Sequence, residues 1–166
     1  MNIIMSLKNY FGSERNYTVR KGNQSPDGKA PLILDLRKRR EFFVETNQTW
    51  AYDHRNDEEQ RSLNKIIGLR DNERSWAVGY SYSISDGMID LYFCQYEDEV
   101  ETSYFVKKIE IGEFFILKIS ERGYIFIDGI YVGRINGSDK YGFLLEPHFG
   151  DKMPAPHDWK ILSIIF

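Results

Sequence analysis

Three observations predict an all-β chain folded as a two-sheet antiparallel β-sandwich. Residues 76–82 and 89–96 alternate strictly between bulky apolar side chains and small or polar ones, the period of strands with one buried face. Turn signals built on Gly, Asn, Asp and Pro recur about every 8–12 residues. No stretch carries a convincing helical period; residues 56–69 come nearest, and Gly68 and the β pattern around it argue against a helix there.

The totals fit that architecture in one domain. The 166 residues match one domain of ordinary size, with no internal repeat and no linker. Eleven Tyr, eleven Phe and three Trp supply a bulky core. A formal charge of −3 and a pI near 5.7 point away from nucleic acid and from anionic membranes as partners. Cys94 is the sole cysteine, so no internal disulfide forms and a reducing compartment is tolerated. The first 16 residues read as an arm, or as an edge strand around Ile3–Leu7, ahead of a domain over 17–166. They lack the basic start and apolar core of a signal peptide, and no run reaches the ~18 apolar residues of a membrane span. The expectation is a soluble protein made in the cytoplasm, with association to a virion after lysis as the alternative.

Taken in order, Tyr17–Arg20 alternates briefly and enters a loop, KGNQSPDGKAP. Leu32–Leu36 reads as a strand. The basic run at 37–40 reads as a solvated turn, because Glu41 and Glu45 follow at once. Glu41–Glu45 and Thr49–Tyr52 are β-prone, residues 54–62 are a polar loop, and Asn64–Leu69 is a short strand turned by 71–75. The runs 76–82 and 89–96, joined through Ser85-Asp86-Gly87, form a hairpin. An acidic turn, 97–101, leads to Ser103–Ile109, and Gly112 separates that from Phe114–Ser120. Asp128-Gly129 between Tyr124–Ile127 and Ile130–Val132 is the best hairpin signal, since Asp-Gly suits a type I′ turn. Residues 136–142 read as another turn. The terminal segment then runs from an apolar entry (Phe143, Leu144, Leu145) through a loop with Pro147, Gly150, Pro154 and Pro156 to a closing strand, Trp159–Phe166.

If Trp76, Val78, Tyr80 and Tyr82 face the core, Ala77, Gly79 and Ser81 face out. Ile89, Leu91 and Phe93 likewise turn Asp90, Tyr92, Cys94 and Tyr96 outward. Small residues beside a row of tyrosines describe a shallow aromatic-lined groove. Sugars stack their C–H faces on such rings while carboxylates and amides take their hydroxyls, which nominates Asp90, Tyr92 and Tyr96 as glycan contacts. Ordinary sheet packing, or a covering loop, accounts for the same pattern.

Catalytic sets are harder to assemble. Glu97, Asp98, Glu99 and Glu101 form a turn-like acidic run, whereas jelly-roll glycosidases need paired carboxylates on one strand face. Lyase chemistry needs a base and a cation on the sugar carboxylate, and residues 76–82 contain no Arg. His54, His148, His157 and Cys94 are too scattered for a metal site, and no cofactor is expected. His157 and Asp158 read as hydrogen-bonding loop backbone, with an orienting pair as the alternative. Turn residues such as Asp128, Asn136 and Asp139 sit where backbone geometry favours Asp and Asn.

Several stretches resemble the small concanavalin A-like jelly rolls found, mostly uncharacterised, in bacteria and phages. They run in order: KGNQS (21–25), FFVETNQTWAY (42–52), NKIIGL (64–69), SWAVGYSY (75–82), IDLYFCQY (89–96) and EPHFGDKMPAPHDWKI (146–161). The family's closing pattern is an aromatic-Phe-Gly-Gly loop and then Ala-Pro-His-Asp. Phe149-Gly150 and Ala155-Pro156-His157-Asp158 match it; Asp151 replaces the second Gly, His148 the aromatic, and Gln24 a His. Arginines stand in the family where Ala77 and Ser81 stand here. The resemblance implies a two-sheet jelly roll with one curved sheet, in a fold whose members commonly bind or cleave polysaccharides. His148 joins the candidate site because it departs from the family's pattern. Three functions follow as expectations: a non-catalytic, lectin-like glycan-binding module; a structural or decoration protein, for instance on a phage particle, working through a homo-oligomer or a virion partner; or a polysaccharide lyase or glycoside hydrolase.

Overall fold

The computed structural model describes residues 13–26, 32–35, 37–53, 62–70, 75–97, 100–135, 141–150 and 155–165. Twelve strands among them build two six-stranded sheets. They are β1 (Ser13–Val19), β2 (Ile33–Asp35), β3 (Arg40–Glu45), β4 (Asn64–Arg70), β5 (Ser75–Ser83), β6 (Met88–Glu97), β7 (Val100–Ile109), β8 (Phe114–Ile119), β9 (Tyr124–Ile127), β10 (Ile130–Arg134), β11 (Tyr141–Leu145) and β12 (Trp159–Ile165). The first sheet has the order β1-β12-β3-β8-β9-β10, the second β2-β11-β4-β5-β6-β7, and every pairing is antiparallel. This is a jelly-roll β-sandwich. No helix among the described residues is long and apolar enough to cross a membrane.

The core lies between the sheets and follows the strand period. Trp76, Val78 and Tyr80 of β5 and Ile89, Leu91 and Phe93 of β6 are buried against Phe42, Val44, Phe115, Leu117, Ile125 and Ile127 of the facing sheet. Gly133 lets the edge strand β10 close on that core: a Cβ there would sit 2.7 Å from a ring carbon of Phe93. The β9–β10 turn has Asp128 at φ 48° and Gly129 at φ 81°, as a type I′ turn demands. The Asp128 carboxylate also accepts from the Ile116 amide at 2.7 Å, which ties the hairpin to β8.

The closing strand β12 lies between β1 and β3, so the last strand takes an interior place, next to the edge, between neighbours from early in the chain. Its Trp159 packs with Trp50, Tyr80 and Phe149, ring centroids 5.5–6.2 Å apart.

Three expectations need correction. Thr49–Tyr52 is not a strand: Gln48–Trp50 is a 3-10 turn capped by the Asn47 side chain, which accepts from the Thr49 amide at 3.0 Å. Tyr141 and Gly142 open β11 instead of closing a turn, because they pair with Asp35 and Leu34 of β2. Glu101 belongs to β7, not to a solvated acidic turn. Of the arm expected over 1–16, positions 13–16 lie in β1; the possible edge strand at Ile3–Leu7, the loop at 54–61 and the turn at 71–74 lie outside the described residues.

Candidate functional site

The outer face of the second sheet is organised in rows that cross the strands. Directly paired residues share a face, so the registers can be read from strand to strand. One row is Ile33–Phe143–Arg70–Ser75–Tyr96–Glu101. The next is Leu145–Gly68–Ala77–Cys94–Ser103. The third is His148–Lys65–Gly79–Tyr92–Phe105, and a fourth is Ser81–Asp90–Lys108. The four nominated residues, Asp90, Tyr92, Tyr96 and His148, therefore lie on one face. His148 is separated from Tyr92 by three strand spacings, about 14 Å. The middle row is small and the rows beside it are bulky, which makes a trough running across the strands.

Lys65 fills part of that trough. Its ammonium reaches over β5 and β6 to the Glu101 carboxylate at 2.7 Å, and Ser103 Oγ donates to the same oxygen at 2.8 Å. The contact closes three strand spacings, about 14 Å across the sheet, plus an offset along the strands. The two side chains extend toward each other over the small residues of β5 and β6. The floor is correspondingly buried: Ala77 is 2 % and Cys94 0 % exposed. A Cβ at Gly79 would lie 3.2 Å from Cys94 Sγ and 3.4 Å from Leu63 Cβ. Small residues here make room for the lysine. Burial pushes the Cys94 thiol pKa up, with Lys65 opposing it, so the thiol stays protonated and unreactive.

The rings around the trough are more accessible. Tyr92 and Phe105 meet edge to face at 5.8 Å, and Phe105 is 56 % exposed. Tyr96 is half-buried, with the Lys65 ammonium 6.0 Å from its ring centre. Phe143 is exposed at the far end of the first row. Phe105, Phe143 and Arg70 were missed by sequence reasoning. The alternation Glu101, Ser103, Phe105 was the available signal for the first of them.

Among the described residues of this face, Asp90 and Glu101 are both paired. Asp90 faces the Lys108 ammonium at 3.1 Å, and the same ammonium binds Asp86 at 2.6 Å. Its hydrogen bond, with help from Ser83, holds the Asp86 carboxyl down to about 2. In the basic run, Arg37 pairs with Asp35 and Arg39 with Glu41, so half of its charge is balanced locally.

His148 is held from two sides. Its backbone pairs with Lys65 in both directions, at 2.7 and 2.8 Å, and its Nδ1 lies 3.0 Å from Ser25 Oγ. Around it, 21–25 and 146–158 are joined by backbone bonds: Phe149 N to Gln24 O at 2.7 Å, Gly22 N to Ala155 O at 3.0 Å and Ala155 N to Asn23 O at 2.9 Å. His157 Nε2 sits 3.0 Å from Thr49 O, and Asp158 accepts from the Lys21 amide at 3.0 Å. Both side chains thus fasten loop backbone. Among the described residues no three His, Cys, Asp or Glu side chains gather as a metal ion requires.

No protein-family model matches the chain, and no curated protein does. Among solved structures, an alginate lyase from Alteromonas sp. 272 is similar over 91 % of this chain and 76 % of its own, at 12 % identity and a TM-score of 0.47. The receptor-binding domain of botulinum neurotoxin type G is similar over 95 % of this chain, at 13 % identity and a TM-score of 0.45. This chain spans 43 % of that domain's length. At these scores neither likeness carries an argument about function.

Proposed function

We propose that the protein is a non-catalytic glycan-binding module whose ligand lies on the outer face of the second sheet. The observation that carries this reading is the edge-to-face pair of a half-buried Tyr92 and an exposed Phe105, on a face that also holds Tyr96, Phe143 and polar neighbours. A sugar ring stacks on such side chains and shares its hydroxyls with Ser75, Ser81 and His148 at the edges. Asp90 and Glu101, the carboxylates nearest the rings, are engaged by Lys108 and Lys65. That supports binding over a glycosidase reading, since glycoside hydrolysis needs two carboxyl groups free to exchange a proton or to attack.

Glycan-array screening, followed by titration of Tyr92→Ala, Tyr96→Ala and Phe105→Ala on any hit, tests the proposal. Loss of one stacking ring is expected to weaken binding about 10-fold, near 1.4 kcal/mol. No binding to any neutral or acidic polysaccharide, or hits untouched by all three substitutions, would sink it.

A structural role through protein contacts is the second reading. It is favoured by exposed aromatics on the other sheet: Tyr131 is 57 % exposed and meets Tyr124 and Phe126 edge to face at 6.1 and 5.9 Å. Sedimentation of the full chain and of Tyr131→Ser discriminates. A monomer at all concentrations, with no captured virion partner, counts against this role.

A further inference from the structure

Among the described residues, the ion pairs of the second sheet's outer face leave Arg70 over. Asp35, Asp90 and Glu101 are each taken, by Arg37, Lys108 and Lys65. Arg70 lies on the same face, exposed, and no carboxylate among the described residues pairs with it. Its position is specific. Phe143 is its direct neighbour on β11, Ser75 its neighbour on β5, and Tyr96 follows on β6. A guanidinium thus stands between two rings, with Tyr96 two strand spacings away, about 10 Å.

Resting on the glycan-binding reading above, we infer that Arg70 selects an acidic glycan, one whose sugars carry carboxylate groups. A guanidinium presents a planar fork that takes both oxygens of a carboxylate. The aromatic neighbours take the C–H faces of the adjoining sugars, and Ser75 supplies a hydroxyl between them. The chain of sugars then runs across the strands, along the row from Phe143 to Tyr96. A uronic acid polymer fits this arrangement because it joins an apolar ring face to a single charge. Nucleic acid and densely sulfated chains do not fit. They need a cluster of cations, and this protein carries −3 overall with the neighbouring lysines already paired.

The test is titration of wild type and Arg70→Gln with oligogalacturonate, with its methyl ester, with a neutral galactan and with heparin. Wild type is expected to bind oligogalacturonate at least 10-fold more tightly than the ester. Arg70→Gln, which changes an exposed side chain and keeps the melting temperature, is expected to lose about 10- to 100-fold for the acid, the scale of a charged hydrogen bond, and little for the ester. Equal affinity for acid and ester, preference for the galactan or heparin, or an Arg70→Gln protein that binds the acid undiminished overturns the inference while leaving a glycan-binding module intact. Failure of all four probes, together with a blank glycan array, overturns both.

Discussion

Lys65 on β4 and Glu101 on β7 meet at 2.7 Å across two intervening strands. The pair bridges β4 to β7 over the small-residue floor of the second sheet. Burial raises the Glu101 pKa, but hydrogen bonds from Lys65 and Ser103 outweigh it and hold the carboxyl below its ordinary value. A depressed carboxyl adds stability above the ordinary glutamate range and loses it as pH falls through the folded value. Glu101→Gln is therefore expected to melt lower than wild type at neutral pH, by at most about 1 kcal/mol because the pair is partly solvated. The difference should vanish in acid. A deficit that persists unchanged at pH 3, followed by calorimetry, would show that the pair acts through packing alone.

The floor beneath that lysine makes a second prediction. A Cβ at Gly68 would lie 2.5 Å from the Trp76 carbonyl oxygen, a backbone atom, and 3.1 Å from Leu145 Cδ1. At Gly79 the nearest atom is the Cys94 sulfur, at 3.2 Å. Gly68→Ala is thus expected to cost about 1–3 kcal/mol by overpacking, and Gly79→Ala clearly less. Urea melts of the two variants check the order, and equal losses would mean that the sheet shifts freely at Gly68.

These two sites mark the limit of what the sequence discloses. The faces of β5 and β6 are legible from alternation alone, and Asp128-Gly129 announces its hairpin. Which residues of β4 face outward is not legible, because a bulge between Lys65 and Ile67 breaks the period. A similar irregularity in β7 separates Phe105 from Lys108. Arg70 and Phe143 become neighbours only through pairing of strands more than 70 positions apart, which no local pattern encodes. The 3-10 turn at Gln48–Trp50 was hidden by β-prone composition, since the side-chain cap from Asn47 overrides propensity.

Lys108 holds two carboxylates at once, Asp86 at 2.6 Å and Asp90 at 3.1 Å. The hydrogen bond from Lys108, then that from Ser83, keeps Asp86 near 2. The contribution of Asp86 to stability is present above the ordinary aspartate range and disappears as pH falls through about 2. In Lys108→Met the Asp86 titration midpoint, followed by carboxyl carbon NMR, is expected to climb toward 3.8. An unmoved midpoint would assign the shift to Ser83 and the Met88 amide instead. The same substitution frees Asp90 beside Tyr92, so it should also weaken binding of an acidic glycan through repulsion.

The terminal strand should be indispensable to folding. Removing residues 159–166 would leave β1 and β3 without a partner between them and strip Trp159 from a fully buried cluster with Trp50, Tyr80 and Phe149. It would also delete the Lys160 carbonyl, which accepts from the Trp50 indole at 2.9 Å and the Asn47 amide group at 3.0 Å and so fixes the 3-10 turn. Truncating a single buried Trp to Ala costs about 3–5 kcal/mol, against a total of about 5–15 kcal/mol for a whole domain. Trp159→Ala is expected to fold with a much lower melting temperature, and the chain ending at Asp158 not to fold at all. Near-ultraviolet circular dichroism and a thermal melt decide it. A soluble truncate that melts cooperatively would mean that the first sheet closes without β12.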